Sequence, residues 1–116
     1  MIRLNFSGHP QEGWLNIAVG VNVDMIDQAQ GAEQLLDLVP HEAIQEMVKG
    51  RDYAVIMPGL SGVGAVLLAR LHGISGRFPY LAWTYRGEDG FKLSTLVDLD
   101  EARRGARELR RYAADL

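Results

Sequence analysis

The chain has no cysteine among its 116 residues, few aromatic residues (8%) and no long uninterrupted apolar run. The absence of cysteine excludes disulfides and thiolate metal sites, and it fits a cytoplasmic protein. The most apolar stretches, residues 55–62 and 63–71, are interrupted by glycine and proline and fall short of the roughly 20 residues that span a bilayer. No signal-peptide pattern is present at the start. These absences favour a cytoplasmic protein without a membrane partner.

Basic charge is also limited, with 12 Lys and Arg against 15 Asp and Glu and a net charge of −3. A general duplex nucleic-acid binder depends on a basic field, so that class of partner is not expected. Five arginines nevertheless fall within residues 103–111: Arg103, Arg104, Arg107, Arg110 and Arg111. They form either a solvated helix face paired with nearby acids, or a surface that faces an anion or a second subunit.

Length and an apolar content of 47% predict one globular domain over residues 1–116. Hydrophobic patterns predict strands at residues 2–6, 53–57, 80–85 and 91–97, with the last two forming a C-terminal hairpin around a charged turn at 86–90. Helices are predicted at 30–39 and 41–49, as two helices or one helix bent at Pro40, at 63–72, ending at Gly73, and from Asp98 or Asp100 to about 113. This alternation favours an α/β fold with a mostly parallel sheet and flanking helices.

Residues 14–24 alternate apolar and polar side chains, and Gly20 and several β-branched residues disfavour a helix there. The pattern predicts one long strand, broken near Gly20, that returns antiparallel to the first strand. A short helix followed by a strand is the alternative.

Two glycine-containing turns each follow a predicted strand: residues 5–10 (NFSGHP) and residues 58–62 (PGLSG). Loops at the carboxyl ends of neighbouring parallel strands line one crevice, so a phosphate or nucleotide site is expected where the two turns meet. In the second turn, glycine amides and the positive end of the following helix favour an anion, and Ser61 either caps that helix or donates to a phosphate. The spacing matches neither a Walker loop nor the dinucleotide fingerprint, and a purely structural turn is the alternative.

Few side chains near these turns could carry chemistry. His9 is a candidate general acid or base, with a capping or solvent-facing role as the alternative. Trp83 and Tyr85 could stack on a base, although core packing is the simpler explanation for them. Arg86 follows them and is the best-placed basic residue for a phosphate contact. The three histidines are dispersed, so neither a metal site nor another cofactor is expected.

The order of motifs resembles a small family of accessory proteins encoded beside type III CRISPR systems. The resemblance rests on residues 4–10 (LNFSGHP), residues 58–61 (PGLS) leading into residues 65–73 (AVLLARLHG), and Phe78-Pro79 before a strand. It covers somewhat under half of the chain. It implies a single small Rossmann-like domain related to those that sense cyclic oligoadenylates, paired as a homodimer or higher homo-oligomer.

For this chain, the resemblance implies binding of cyclic oligoadenylate, in particular cyclic tetraadenylate, and removal of this messenger by ring-nuclease cleavage. The residues implied as ligand contacts are Asn5, Ser7, Gly8, His9, Pro58, Gly59, Leu60, Ser61 and Gly62. In such a reaction a ribose 2′-hydroxyl attacks the adjacent phosphate without a metal. His9 would then move a proton, and Ser7 and Arg86 would stabilise the phosphorane charge.

Two other functions stay open. The chain could bind the messenger without cleaving it, as a sponge or a sensor. Alternatively, it could be an α/β interaction domain whose arginine-rich helix docks a partner and whose glycine turns are structural.

Overall fold

The computed structural model describes residues 1–115, in which short strands alternate with helices along the chain. The elements are β1 (Ile2–Asn5), β2 (Leu15–Asn16), α1 (Gln28–Asp37), α2 (His41–Val48), β3 (Tyr53–Ile56), α3 (Ser61–Ser75), β4 (Tyr80–Ala82), β5 (Thr84–Gly87), β6 (Gly90–Leu93), β7 (Val97–Asp98) and α4 (Leu99–Ala114). The α/β class predicted from the sequence is confirmed. No helix among the described residues is long and apolar enough to cross a membrane.

Five strands form a mostly parallel sheet in the order β2-β1-β3-β4-β7. The pairs β1–β2, β1–β3 and β3–β4 are parallel, and β7 closes one edge antiparallel to β4. The strands β5 and β6 pair antiparallel in a separate two-stranded sheet. The strand order reverses between β1 and β3, because the chain leaves β1 toward β2 on one side and leaves β3 toward β4 on the other.

The main core lies between one face of the sheet and the helices α1, α2 and α3. Alternate residues of β1 and β3 face these helices. The side chains buried in this core include Ile2, Leu4, Phe6, Tyr53 and Val55 from the strand side, and Ala32, Leu35, Val39, Ala43, Met47, Val63, Leu67 and Leu71 from the helix side. The opposite face carries a smaller cluster of Trp14, Ala54, Ile56 and Ala82. Helices therefore cover one face of the sheet only.

Tyr53 ties β3 to the end of α3. Its hydroxyl donates to the carbonyl oxygen of Arg77 (2.9 Å) and lies 3.0 Å from Ser75 Oγ. Burial raises the pKa of Tyr53 above its usual 10.0, and the hydrogen bond with Ser75 partly offsets this rise.

The prediction of a long strand at residues 14–24 is wrong beyond Leu15–Asn16. Gly20 adopts a φ of +75°, and the Val21 amide donates to the Ala18 carbonyl oxygen (3.2 Å), so the chain turns here despite its alternating pattern. The predicted antiparallel return is also wrong. The connection after β1 contains two left-handed glycines, Gly8 and Gly13, and brings β2 back parallel to β1.

Two smaller predictions need correction at α3. The helix does not end at Gly73 but continues to Ser75, where Gly76 adopts a left-handed φ of +76° and its amide donates to the His72 carbonyl oxygen. Nor does Ser61 cap the start of α3, because Leu60 occupies the N-cap position.

The predicted strand at residues 80–85 is divided at Trp83. Two hydrogen bonds join the backbone of Trp83 to Ser94. The Trp83 amide donates to Ser94 Oγ (3.0 Å), and the Ser94 amide donates to the Trp83 carbonyl oxygen (2.8 Å). The chain therefore leaves the main sheet after β4 and pairs in β5 and β6. As a result, Arg86 lies within β5 rather than in a turn. The start of the last helix agrees with the sequence, because Asp98 caps α4.

Candidate functional site: a cleft at the strand ends

A cleft of about 440 Å³ opens at the carboxyl ends of β1, β3 and β4. Ser7 and His9 come from the turn after β1, Pro58 and Gly59 from the turn after β3, and Trp83 and neighbouring residues from the end of β4. Ligands of open α/β sheets bind at the point where the strand order reverses. In this sheet that point lies between β1 and β3. The two turns singled out in the sequence therefore meet in one cleft, at the position where such a fold binds ligands.

Asn5 holds the first turn in shape. It is buried (1% exposed), and its amide nitrogen donates to the His9 carbonyl oxygen (2.7 Å) and to Asn16 Oδ1 (2.8 Å). Its Oδ1 accepts hydrogen bonds from the Ser7 amide (3.0 Å) and the Ser7 hydroxyl (2.7 Å). All four bonding positions of this amide are thus used within the protein. Asn5 acts on the cleft by positioning Ser7 and His9, and it has no spare group for a ligand in this arrangement.

Asn16 is a second member of this network, and sequence reasoning missed it. It stands beside Asn5 in the parallel register of β1 and β2. Its Oδ1 also accepts from the Gln11 amide (2.9 Å), so it links the two ends of the turn. The only available signal was an asparagine within a polar–apolar alternation, which is too common to identify a contact.

Ser7 and His9 differ in how free their side chains are. The Ser7 hydroxyl donates to Asn5 Oδ1 and accepts from the His9 amide (3.2 Å), so donation to a ligand requires it to rotate away from Asn5. The His9 residue is exposed on the lining of the cleft. Of the predicted catalytic residues, these two are brought together.

The amino end of α3 is partly covered by a side chain from α1. The Val63 amide, in the first turn of α3, donates to Gln28 Oε1 (3.2 Å). A β-carbon on Gly62 would collide with the same oxygen, so glycine is needed for this close approach. The carboxamide oxygen of Gln28 therefore holds part of the position at which the sequence predicted a phosphate. Ser61 and Gly62 do not line the cleft.

A smaller cavity of about 210 Å³ adjoins the cleft and shares Ser7, Pro58 and Gly59 with it. Gly8 and Leu60 line this second cavity. Its walls are mostly apolar, with contributions from core side chains. Residues of both turns therefore line both cavities, and Gly8 and Leu60 lie on the side of the apolar one.

Trp83 stands on the wall of the cleft with its residue surface 48% exposed. The two hydrogen bonds to Ser94 hold its backbone, and the surrounding core does not enclose its ring. Core packing does not explain this tryptophan. Tyr85 is also exposed, but it lies on β5 beyond the cleft lining.

Arg86 lies opposite Phe91 in the two-stranded sheet and does not line the cleft. The lining contains neither lysine nor arginine. The polar side chains of the lining are those of Ser7, His9, Trp83 and Thr84. Among residues 1–115, His, Asp and Glu side chains do not gather in threes as a metal site would require.

No protein-family model, curated protein or solved structure matches this chain.

Proposed function

We propose that the cleft binds a nucleotide unit of cyclic oligoadenylate, such as cyclic tetraadenylate, and that the protein thereby lowers the free concentration of this messenger. The observation that carries the proposal is the meeting of both turns with Trp83 in one cleft at the reversal of the strand order. In this view the domain is Rossmann-like and related to the domains that sense cyclic oligoadenylates. Residues 80–97 then correspond to the C-terminal hairpin, divided between two sheets.

The surfaces of the cleft suit an adenylate. An exposed tryptophan ring offers a stacking platform, which contributes about 1–3 kcal/mol per base in nucleic-acid complexes. Ser7 and Thr84 supply hydroxyl groups, and His9 supplies a ring nitrogen for ribose or phosphate oxygens. The lining contains no arginine or lysine, which favours a ligand of low local charge. In a cyclic oligoadenylate, each nucleotide presents only one phosphodiester charge to the cleft.

The size of the cleft bears on stoichiometry. A volume of about 440 Å³ lies at the lower end of the range of about 300–1,000 Å³ that is usual for small-molecule sites. It accommodates one nucleotide unit rather than a whole ring of four. A ring would therefore be held by clefts from at least two copies of the chain, which agrees with the homo-oligomer that the resemblance implies.

Ring cleavage is the second candidate, and the presence of Ser7 and His9 in the same cleft favours it. A ribose 2′-oxygen would attack the adjacent phosphorus as His9 accepts the 2′-hydroxyl proton. The bond to the 5′-oxygen would break, and that oxygen would take up a proton to leave a 5′-hydroxyl and a 2′,3′-cyclic phosphate. The Ser7 hydroxyl would stabilise charge on the phosphorane oxygens. Arg86 would have to reach in from β5, so its contribution is expected to be small.

The test is to incubate the protein with radiolabelled cyclic tetraadenylate without metal, and to resolve bound and cleaved species. Retention of intact ring is expected for a binder, whereas linear adenylates indicate the enzyme. Trp83→Ala should weaken binding by about 5–150-fold, the equivalent of 1–3 kcal/mol of stacking. Phe91→Ala is the matched control, because Phe91 is an exposed aromatic (79%) outside the cleft.

His9→Ala separates the two candidates. It should slow single-turnover cleavage by more than it weakens binding if His9 carries the proton. In a binder that does not cleave the ring, it should change the affinity alone. No binding at tens of micromolar protein, or equal affinity for Trp83→Ala and the unmodified protein, would overturn the proposal.

A further inference from the structure

The helix α4 stands away from the rest of the protein. Every residue from Glu101 to Asp115 is exposed. The helix is anchored through its first turn, where the Leu99 amide donates to the Pro79 carbonyl oxygen (3.4 Å) and the Phe78 amide donates to the Asp100 carboxylate (3.3 Å). The radius of gyration of 15.4 Å exceeds the value of about 13 Å expected for a compact domain of this length.

A helix of this kind would gain stability from a partner. Isolated helices near this length are marginal in water, and most helical stability in proteins comes from packing of an apolar face. Such a face exists on α4 and repeats every three and four residues: Leu99, Ala102, Ala106, Leu109 and Ala113. Leu109 is 70% exposed, so nothing in the described part of the same chain covers it.

The sequence of α4 repeats with a period of seven. Residues 100–106 (DEARRGA) and 107–113 (RELRRYA) carry Glu, an apolar residue, two Arg and Ala at matching positions. In heptad terms, the apolar face supplies the a positions (99, 106 and 113) and the d positions (102 and 109). A seven-residue apolar period matches the seam of two helices wound around each other.

The charges beside this seam select an orientation. Arg103 and Arg110 occupy the e positions on one side. Gly105 and Tyr112 occupy the g positions on the other, and the N-cap residue Asp98 lies one heptad before Gly105. In a parallel pair, e positions meet g positions, so Arg103 lies beside Asp98 of the second copy, whose carboxylate also caps its own helix and lies 4.0 Å from its own Arg104. In an antiparallel pair, e positions meet e positions, and arginine faces arginine.

Gly105 fits the same arrangement. A glycine in an exposed helix interior costs about 1 kcal/mol relative to alanine, and no atom of the same chain would contact a β-carbon there. Between parallel copies, the missing side chain leaves room for Arg110 of the second copy to extend toward Glu101 and Glu108, which lie just beyond Gly105.

We propose that α4 pairs in parallel with α4 of a second copy of this chain, with Leu109 against Leu109. This inference does not depend on the proposed function, because α4 does not line the cleft.

The absence of cysteine makes a direct test possible, because a single introduced cysteine has no competing thiol. The full chain carrying Leu109→Cys is expected to form a disulfide-linked dimer under mild oxidation, since facing Cα atoms of the seam lie within disulfide reach. Arg111→Cys is the matched control, equally exposed but on the outer face of α4. We expect at least tenfold more cross-linked dimer for Leu109→Cys than for Arg111→Cys.

Orientation is tested by mixing Ala102→Cys protein with Ala113→Cys protein, one of them carrying a mass tag. Parallel helices join 102 to 102 and 113 to 113, whereas antiparallel helices bring a positions against d positions and join 102 to 113. Sedimentation of the unmodified protein should show a dimer that weakens at high salt, because the flanking ion pairs are exposed. A monomer at tens of micromolar, equal cross-linking of Leu109→Cys and Arg111→Cys, or a dominant 102–113 product would each overturn the proposal.

Discussion

Replacement of Asn5 tests whether the first turn is held by one buried amide. Asn5→Ala removes two donors, to His9 and Asn16, and one oxygen that accepts from both groups of Ser7. A protein hydrogen bond contributes about 0.5–1.5 kcal/mol net, and buried groups left unpaired cost more. Because the turn can relax and admit water to some of these groups, we expect a loss of about 2–4 kcal/mol in the free energy of unfolding.

Urea denaturation measures this loss. For a small domain, the denaturant slope is about 1–3 kcal/mol per molar urea, so the unfolding midpoint should fall by about 0.7–4 M at an unchanged slope. Affinity for the proposed cyclic oligoadenylate ligand should fall in the surviving folded fraction, because Ser7 and His9 lose their common support. An Asn5→Ala loss below about 0.5 kcal/mol would refute the reasoning, since no buried network of this kind could then be present.

Asn5→Asp separates the two halves of the network. A carboxylate retains the oxygen that accepts from Ser7, but it places a second oxygen against the His9 carbonyl and Asn16 Oδ1. Protonation restores one donor, so this variant should have a raised carboxyl pKa in the folded state. The folded protein then binds more protons than the unfolded chain, and stability should rise as the pH falls toward the ordinary pKa of aspartate. Stability that is unchanged or lower at acidic pH, relative to the parent protein, would contradict this assignment.

Two further predictions concern the fold. Gly31→Ala places a β-carbon 2.6 Å from Val23 Cγ1, where α1 approaches α3, and should lower the free energy of unfolding in urea by about 1–3 kcal/mol. Gly73 lies in α3 with open space around it, so Gly73→Ala should instead raise the free energy of unfolding by up to about 1 kcal/mol. Equal effects at the two glycines would exclude close packing at Gly31. Tyr53→Phe should lower the free energy of unfolding by about 1 kcal/mol near neutral pH. It should also flatten the fall in stability above about pH 10. Because the pKa of Tyr53 is raised in the folded protein, the Tyr53 hydroxyl loses its proton in the unfolded state first as the pH rises. Parallel stability curves for the two proteins between pH 9 and 11 would refute that assignment.

The sequence by itself determined the elements whose signals are local. The buried strand β3 follows from a continuous apolar run, and the break between α1 and α2 follows from Pro40, which cannot continue a helix. The sequence placed the start of α4 at Asp98 or Asp100, and the carboxylate of Asp98 caps the first turn. The sequence also identified the two glycine-containing turns, because a glycine that follows a strand can be recognised without knowledge of the strand order.

Only the tertiary structure decided how these pieces meet. The alternation at residues 14–24 predicts a strand, but β2 has just two residues, since left-handed Gly8, Gly13 and Gly20 redirect the chain. The positions of Gln28 over α3 and of Asn16 beside Asn5 depend on partners 35 and 11 residues away. Local propensity carries no information about such partners, because they are chosen by the packing of the whole sheet. The strand order therefore places the two turns and the exposed Trp83 together in one cleft.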